Sequence, residues 1–99
     1  MIYHQTILPE AQDDFDEAVG WYTKEKKGLG KRFGKAVRQV LKSLRRTPKM
    51  HGVVVKDVRR AVVKDFPSYV VLYRVSGQEV IIISIFHTSQ DPSKWQSRI

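Results

Sequence analysis

Two runs, Tyr69-Val-Val-Leu-Tyr-Arg-Val75 and Val80-Ile-Ile-Ile-Ser-Ile-Phe-His87, flank the polar tetrapeptide Ser76-Gly-Gln-Glu79. Their β-branched and aromatic residues fit a pleated, half-buried surface better than a helix, and the glycine between them suits a short loop, so the stretch reads as a β-hairpin. The second run is apolar at almost every position, the pattern of a strand covered on both faces and set inside a sheet rather than at its edge. Unpaired, Val80 to Phe86 would be prone to aggregate, with no charge and no proline to interrupt it. The first half of the chain must therefore supply its cover.

Working back from the hairpin, Ile2 to Ile7 alternates apolar and polar residues and reads as a short strand. Pro9 suits the first turn of a helix, and the acidic cluster after it suits the positive end of the helix dipole. Ala11, Phe15, Ala18 and Tyr22, with Trp21 beside them, form an apolar stripe on a helix predicted from Pro9 to Lys26, which Gly28-Leu29-Gly30 ends. A second periodic run follows. Leu29, Phe33, Val37, Val40, Leu41 and Leu44 share one face, and the cations Lys31, Arg32, Lys35, Arg38, Lys42 and Arg45 lie largely off it, until Thr47-Pro48 stops the helix. So short a connection makes the two helices antiparallel neighbours. Met50-His51-Gly52 reads as loop. Val53 to Val55 and Val58 to Val63 read as one or two strands, broken by Asp57 and closed by Asp65-Phe66-Pro67-Ser68. The predicted order is strand, helix, helix, then three or four strands. This is one α+β domain over residues 1–99, with a helical hairpin packed on a mostly antiparallel sheet.

A chain of 99 residues is long enough for one core and no more. It has no cysteine, and its histidines are scattered at His4, His51 and His87, so neither a disulfide framework nor a metal site is expected, and no cofactor is implied. The longest apolar run is far short of the roughly 20 residues that span a bilayer, and no signal-like N-terminus is present, so the expectation is a soluble cytoplasmic protein with no membrane partner. The formal charge of +8 points to an acidic partner. Its distribution is uneven. Residues 10–17 hold Glu10, Asp13, Asp14, Asp16 and Glu17 with no cation, whereas residues 24–49 hold eleven Lys or Arg against Glu25 alone. Such segregation makes one strongly positive surface, for which nucleic acid and an acidic protein segment are both candidates.

An ordered set of residues also carries a resemblance: Ala11-x-Asp13-Asp14 with Trp21-Tyr22, Gly28-Leu29-Gly30-x-x-Phe33, Pro48, Arg59-Arg60, Phe66-Pro67-x-Tyr69-x-Val71-x-Tyr73-x-Val75 and His87-x-x-x-Asp91-Pro92-x-x-Trp95. Across essentially the whole chain this resembles the ParE, or plasmid-stabilisation, branch of the RelE/ParE toxin superfamily. The resemblance implies the toxin of a type II toxin–antitoxin pair, with a cognate acidic antitoxin wrapped around it. ParE-like members poison DNA gyrase; RelE-like members are ribonucleases that cut mRNA in the ribosome. The ribonuclease branch carries an arginine directly after the tyrosine that resembles Tyr69, where this chain has Val70, and a basic residue a few positions earlier, near Asp65. RNA cleavage needs cations to hold transition-state charge and a group to move protons, so these departures favour the gyrase reading. In the tail, Gln90 stands where the ParE branch usually has arginine.

If the chain were a ribonuclease, Arg59, Arg60, Arg74 and His87 would be the catalytic candidates. His87 could serve as acid or base or simply hydrogen-bond the turn toward Asp91-Pro92; strand alternation places it on the face of Ile81, Ile83 and Ile85. Arg59 and Arg60 are adjacent on a strand and so point to opposite faces, and Arg74 is either paired with a carboxylate or exposed at a sheet rim. Antitoxin or target contacts are expected from Trp21, Tyr22, Lys31, Lys35, Arg38, Lys42, Arg45, Arg59, Arg60, His87 and Trp95. Of these, Trp21 and Tyr22 read as core or groove wall, and Trp95 as the anchor of a short terminal turn begun by Asp91-Pro92. A nucleic-acid-binding or interaction domain without catalysis is the third reading, carried by charge alone.

Overall fold

The computed structural model describes residues 2–99. Strand β1 (His4–Ile7) leads into helices α1 (Pro9–Glu25) and α2 (Leu29–Leu44). After a 3-10 turn at Pro48–Met50 come β2 (Val53–Val55), β3 (Val58–Val62), β4 (Tyr69–Ser76) and β5 (Glu79–His87), and last the short helix α3 (Ser93–Gln96). The five strands form one sheet in the order β1-β5-β4-β3-β2. The anticipated two-layer α+β fold is present, and β5 does lie inside the sheet. The sheet is mixed rather than wholly antiparallel, because β1 returns beside β5 in parallel, with Gln5 opposite Val80 and Ile7 opposite Ile82. Strand β1 is also shorter than predicted: Tyr3 is held outside the ladder by its N–H bond to the Arg45 carbonyl at the end of α2 (2.8 Å). Pro48–Met50, at the start of the predicted loop, is helical instead.

The apolar residues of the hairpin helices form the main core with one face of the sheet. Ala11, Ala18, Phe33, Val37 and Leu44 pack there against Val71, Tyr73, Val80, Ile82 and Ile85. Phe33 sits 4.8 Å from the Tyr69 ring centroid and 5.2 Å from that of Phe66, and Tyr22 touches both Phe33 and Phe66, so aromatic contacts tie the helices to the β3–β4 turn. The helices approach closely because Gly30 has no side chain: a Cβ there would lie 2.8 Å from the Val19 carbonyl oxygen. Gly28, at φ +82°, makes the sharp reversal between them. On the other face of the sheet a smaller core holds Val58, Val70, Leu72, Ile83 and Phe86 under Trp95. The α3 turn that delivers Trp95 is started by Asp91, whose carboxylate accepts the Ser93 N–H at 2.9 Å. That bond holds the Asp91 pKa below the ordinary carboxylate value.

One irregularity decides which β5 residues face which core. Leu72 pairs with Ser84 but Tyr73 pairs with Ile82, so β5 carries an extra residue in a bulge. As a result Ile82 and Ile85, three apart, both reach the helix side, and Ile83 and Phe86 both reach the other. This corrects the strict alternation assumed for His87: it shares a face with Ile85 and Ile82, and Ile83 points away from it.

Beyond Ile82 the outer edge of β5 has no strand beside it, and two side chains take the place of one. The Asp14 carboxylate accepts the Ile85 N–H (3.3 Å) and the Ser84 hydroxyl (2.7 Å). Arg98 donates to the Ile83 carbonyl (2.9 Å) and grips both Asp14 oxygens, at 2.7 and 3.1 Å. Asp14 is only 8% exposed. Removing one partner of such a pair strands a buried charge, whereas removing both need not. Asp14→Ala is therefore expected to cost about 3 kcal/mol or more in urea unfolding, and Asp14→Ala with Arg98→Met is expected to be closer to the parent than the single change.

Tyr73 supplies a second buried anchor. Its hydroxyl donates to the Pro48 carbonyl at 2.6 Å, and burial pushes its pKa up to about 12. The neutral phenol is the form the fold favours, so its contribution is complete below the ordinary value of 10.0 and is lost as pH rises through about 12. Tyr73→Phe should lower stability by about 1 kcal/mol at neutral pH, and the gap to the parent should close between those two pH values in denaturant titrations.

Candidate functional site

A concavity of about 340 Å³ lies between α1 and the far end of β5. Trp21, Tyr22 and Tyr69 wall it, His87 and Ser89 close one side, and Glu17, Asp14 and Lys94 supply its charges. The sequence places these together because α1 presents positions 14, 17, 18 and 21 within two turns, and the β4–β5 register sets Tyr69 opposite His87. Trp21 stands 57% exposed, one residue off the buried stripe, and meets Tyr22 edge-on at 5.0 Å. It is a groove wall and not part of the core. Tyr69 meets His87 edge-on at 4.9 Å.

The groove's two phenols are held protonated. Burial raises the Tyr69 pKa, and Tyr22, Glu17 and Asp14 add to the shift; burial also raises that of Tyr22. Both phenols are therefore neutral hydrogen-bonding groups at physiological pH. The His87 Nδ1 accepts the Ser89 N–H at 3.1 Å and lies 2.7 Å from the Ser89 hydroxyl, so the neutral ring carries its proton on Nε2. Its backbone N–H donates to the Gln90 side-chain oxygen at 3.2 Å. Thus His87 does hydrogen-bond the turn that follows it, and Gln90 braces that turn.

A second cleft, about 250 Å³, opens between α1, α2 and the end of β1. Ile7, Ala11, Phe15, Leu41 and Ile85 line it, and Arg38 stands at its rim. It is the more apolar of the two. With Ile7 38% exposed beside it, an apolar segment could seat there with an acidic group against Arg38.

The four ribonuclease candidates are not brought together. Arg59 is on the helix side, where its guanidinium donates to the carbonyls of His51 (2.6 Å) and Lys49 (3.3 Å) and so pins the turn before β2. Arg60 is on the opposite face, beside Val54, Leu72 and Trp95. Arg74 pairs with Asp57 at 2.9 Å on the rim, an exposed contact worth little by itself. It sits opposite Ile81, roughly 16 Å along the strand from the Tyr69–His87 pair. His87 alone reaches the groove.

Of the expected contact residues, Trp21, Tyr22 and His87 share the groove, and Lys31, Lys35, Arg38, Lys42 and Arg45 share the outer face of α2. Arg45 also donates from Nε to the Tyr3 carbonyl (3.3 Å). Trp95 is apart from both, 5% exposed under the far face of the sheet. The sequence reading missed Asp14, Ser84 and Arg98 as a unit. A signal for Asp14 was present: it lies three residues after Ala11 and four before Ala18, a carboxylate on an apolar helical stripe that needs a buried partner. Arg98 carried no such signal. Among the described residues no group of His, Asp and Glu side chains is arranged to hold a metal ion, and no helix is long and apolar enough to cross a membrane.

Comparison with known proteins agrees with this architecture. The chain is similar in fold to a solved structure described as the chromosomal ParDE TA system from P. aeruginosa, with a TM-score of 0.75 and 18% identity over 87% of this chain and 96% of that one. No curated protein sequence matches it. The family model described as "ParE toxin of type II toxin-antitoxin system, parDE" matches residues 6–92, from the end of β1 to the turn before α3. By that match the chain belongs to the ParE toxin family of type II toxin–antitoxin systems.

Proposed function

We propose that this toxin acts by binding and inhibiting DNA gyrase, without cutting nucleic acid, and that a cognate acidic antitoxin in the cytoplasm neutralises it. The observation that carries the non-nucleolytic reading is the dispersal of the four residues Arg59, Arg60, Arg74 and His87. Arg59 is committed to loop carbonyls, Arg60 and Arg74 lie on the far face or the rim, and His87 meets none of them. Phosphodiester cleavage needs cations and a proton-transfer group within hydrogen-bond reach of one phosphate. The aromatic groove of Trp21, Tyr22 and Tyr69 beside His87 is instead a surface for docking a protein.

The antitoxin is assigned to the other cleft. An apolar segment over Ile7, Phe15 and Leu41 would bury exposed hydrophobic surface, and an acidic residue flanking it would meet Arg38 at the rim. The toxin's charge of +8 would speed that encounter at low salt.

Controlled expression of the chain alone in bacteria tests the target. Arrest with a DNA damage response and intact mRNA is expected; codon-positioned mRNA cuts within minutes would instead establish the ribosome-dependent nuclease. For the antitoxin, titration calorimetry should show affinity falling as salt rises, and Arg38→Glu should weaken binding at least tenfold while leaving the fold intact. Salt-insensitive binding would remove the electrostatic part of the proposal.

A further inference from the structure

Helix α2 and its C-cap carry five cations in a heptad-like series: Lys31, Lys35, Arg38 and Lys42 in the helix and Arg45 at its end. At 100° per residue they fall within an arc of about 80°, and they extend about 21 Å along the axis. All five are exposed, and among the described residues none makes an ion pair, since the three salt bridges present involve Arg74, Lys94 and Arg98. The acidic residues of α1 therefore do not neutralise the stripe, although the two helices pack side by side. A row of like charges at this spacing repels itself, and of the five only Arg45, which donates to the Tyr3 carbonyl, makes a side-chain hydrogen bond among the described residues.

We infer that this stripe binds the phosphate backbone of duplex nucleic acid, independently of sequence. Three features favour that occupant over an acidic peptide or an anionic membrane. The stripe lies on the exposed side of α2, and the apolar residues Phe33, Val37 and Leu44 are turned into the core. Apart from Arg38, which also borders the apolar cleft, the stripe offers a partner no apolar anchor, so binding along it is through charge. An acidic peptide gains its affinity from apolar anchors as well as charge, and such anchors are available in the cleft by Phe15 and Leu41, at the side of this helix rather than on its crest. A membrane-surface helix needs an apolar face free to enter the lipid, and that of α2 is occupied. Duplex DNA, by contrast, offers one negative charge per about 1.7 Å of axis on a stiff rod, and a straight line of cations releases its condensed counterions without other contacts. The inference does not rest on gyrase inhibition and is measured without gyrase.

The test is fluorescence anisotropy of a labelled random-sequence duplex against the full chain over a series of salt concentrations. The expected result is binding whose log–log salt dependence has a slope of about −4.5, as five neutralised phosphates require. Lys35→Gln with Lys42→Gln should make that slope shallower by about 2 units, whereas Lys64→Gln in the β3–β4 turn should leave the stripe's contribution intact. Circular dichroism verifies that each variant is folded; these side chains are exposed and unpaired, so folding should be unaffected. No binding at low salt would overturn the inference. A slope unchanged in the double variant would place the contact elsewhere and overturn it as well. Equal displacement by poly-glutamate at matched charge would assign the stripe to an acidic polypeptide.

Discussion

The structure depends on how the outer edge of β5 is finished. Strand β1 covers only its first half, and beyond Ile82 the outer backbone groups are still to be satisfied. Asp14 from α1 and Arg98 from the C-terminal tail satisfy them together, so one buried ion pair joins the first helix, strand β5 and the last residues of the chain. Burying that pair is costly in desolvation, and it is tolerable because the Asp14 oxygens also accept from Ser84 and Ile85. The bulge in turn lets β5 serve two cores, directing Ile82 and Ile85 toward the helices and Ile83 and Phe86 toward Trp95.

Charge is organised as deliberately as packing. The acidic residues of α1 include Asp14, which is used internally, and the positive charge gathers on the outer face of α2, where it enters no ion pair among the described residues. The two concavities differ correspondingly. One is aromatic and lined by neutral phenols and a histidine whose tautomer is set by Ser89; the other is apolar with Arg38 at its mouth. A small protein with three such distinct surfaces has room for more than one partner, each met by a different force.

Much of the fold was legible because periodicity reports burial directly. The stripe Ala11, Phe15, Ala18 and Tyr22 and the series Phe33, Val37 and Leu44 face the sheet as their spacing requires, and Gly28 takes the left-handed conformation at the reversal. Trp21 and Tyr22 were recognisable as groove wall or core, but not which was which, since adjacent helical residues differ by 100° and only packing fixes where the core begins. Arg59 illustrates the limit from the other side. A strand arginine in sequence looks available for a phosphate, yet this one is occupied by two carbonyls of a turn eight and ten residues before it. No local pattern records that.

The sequence by itself determined the class of elements, their order, the helical hairpin, the buried position of β5 and the separation of charge, because each of these follows from the periodicity or composition of a contiguous stretch. Only the tertiary structure decided that β1 pairs in parallel with β5, that β5 bulges and so reverses the face of Ile83, that Arg98 closes on Asp14 and that the four nuclease candidates stay apart. These are relations between residues distant in the chain. Their energies depend on which backbone groups are left unsatisfied once the layers have packed, and that quantity does not exist until the chain has folded.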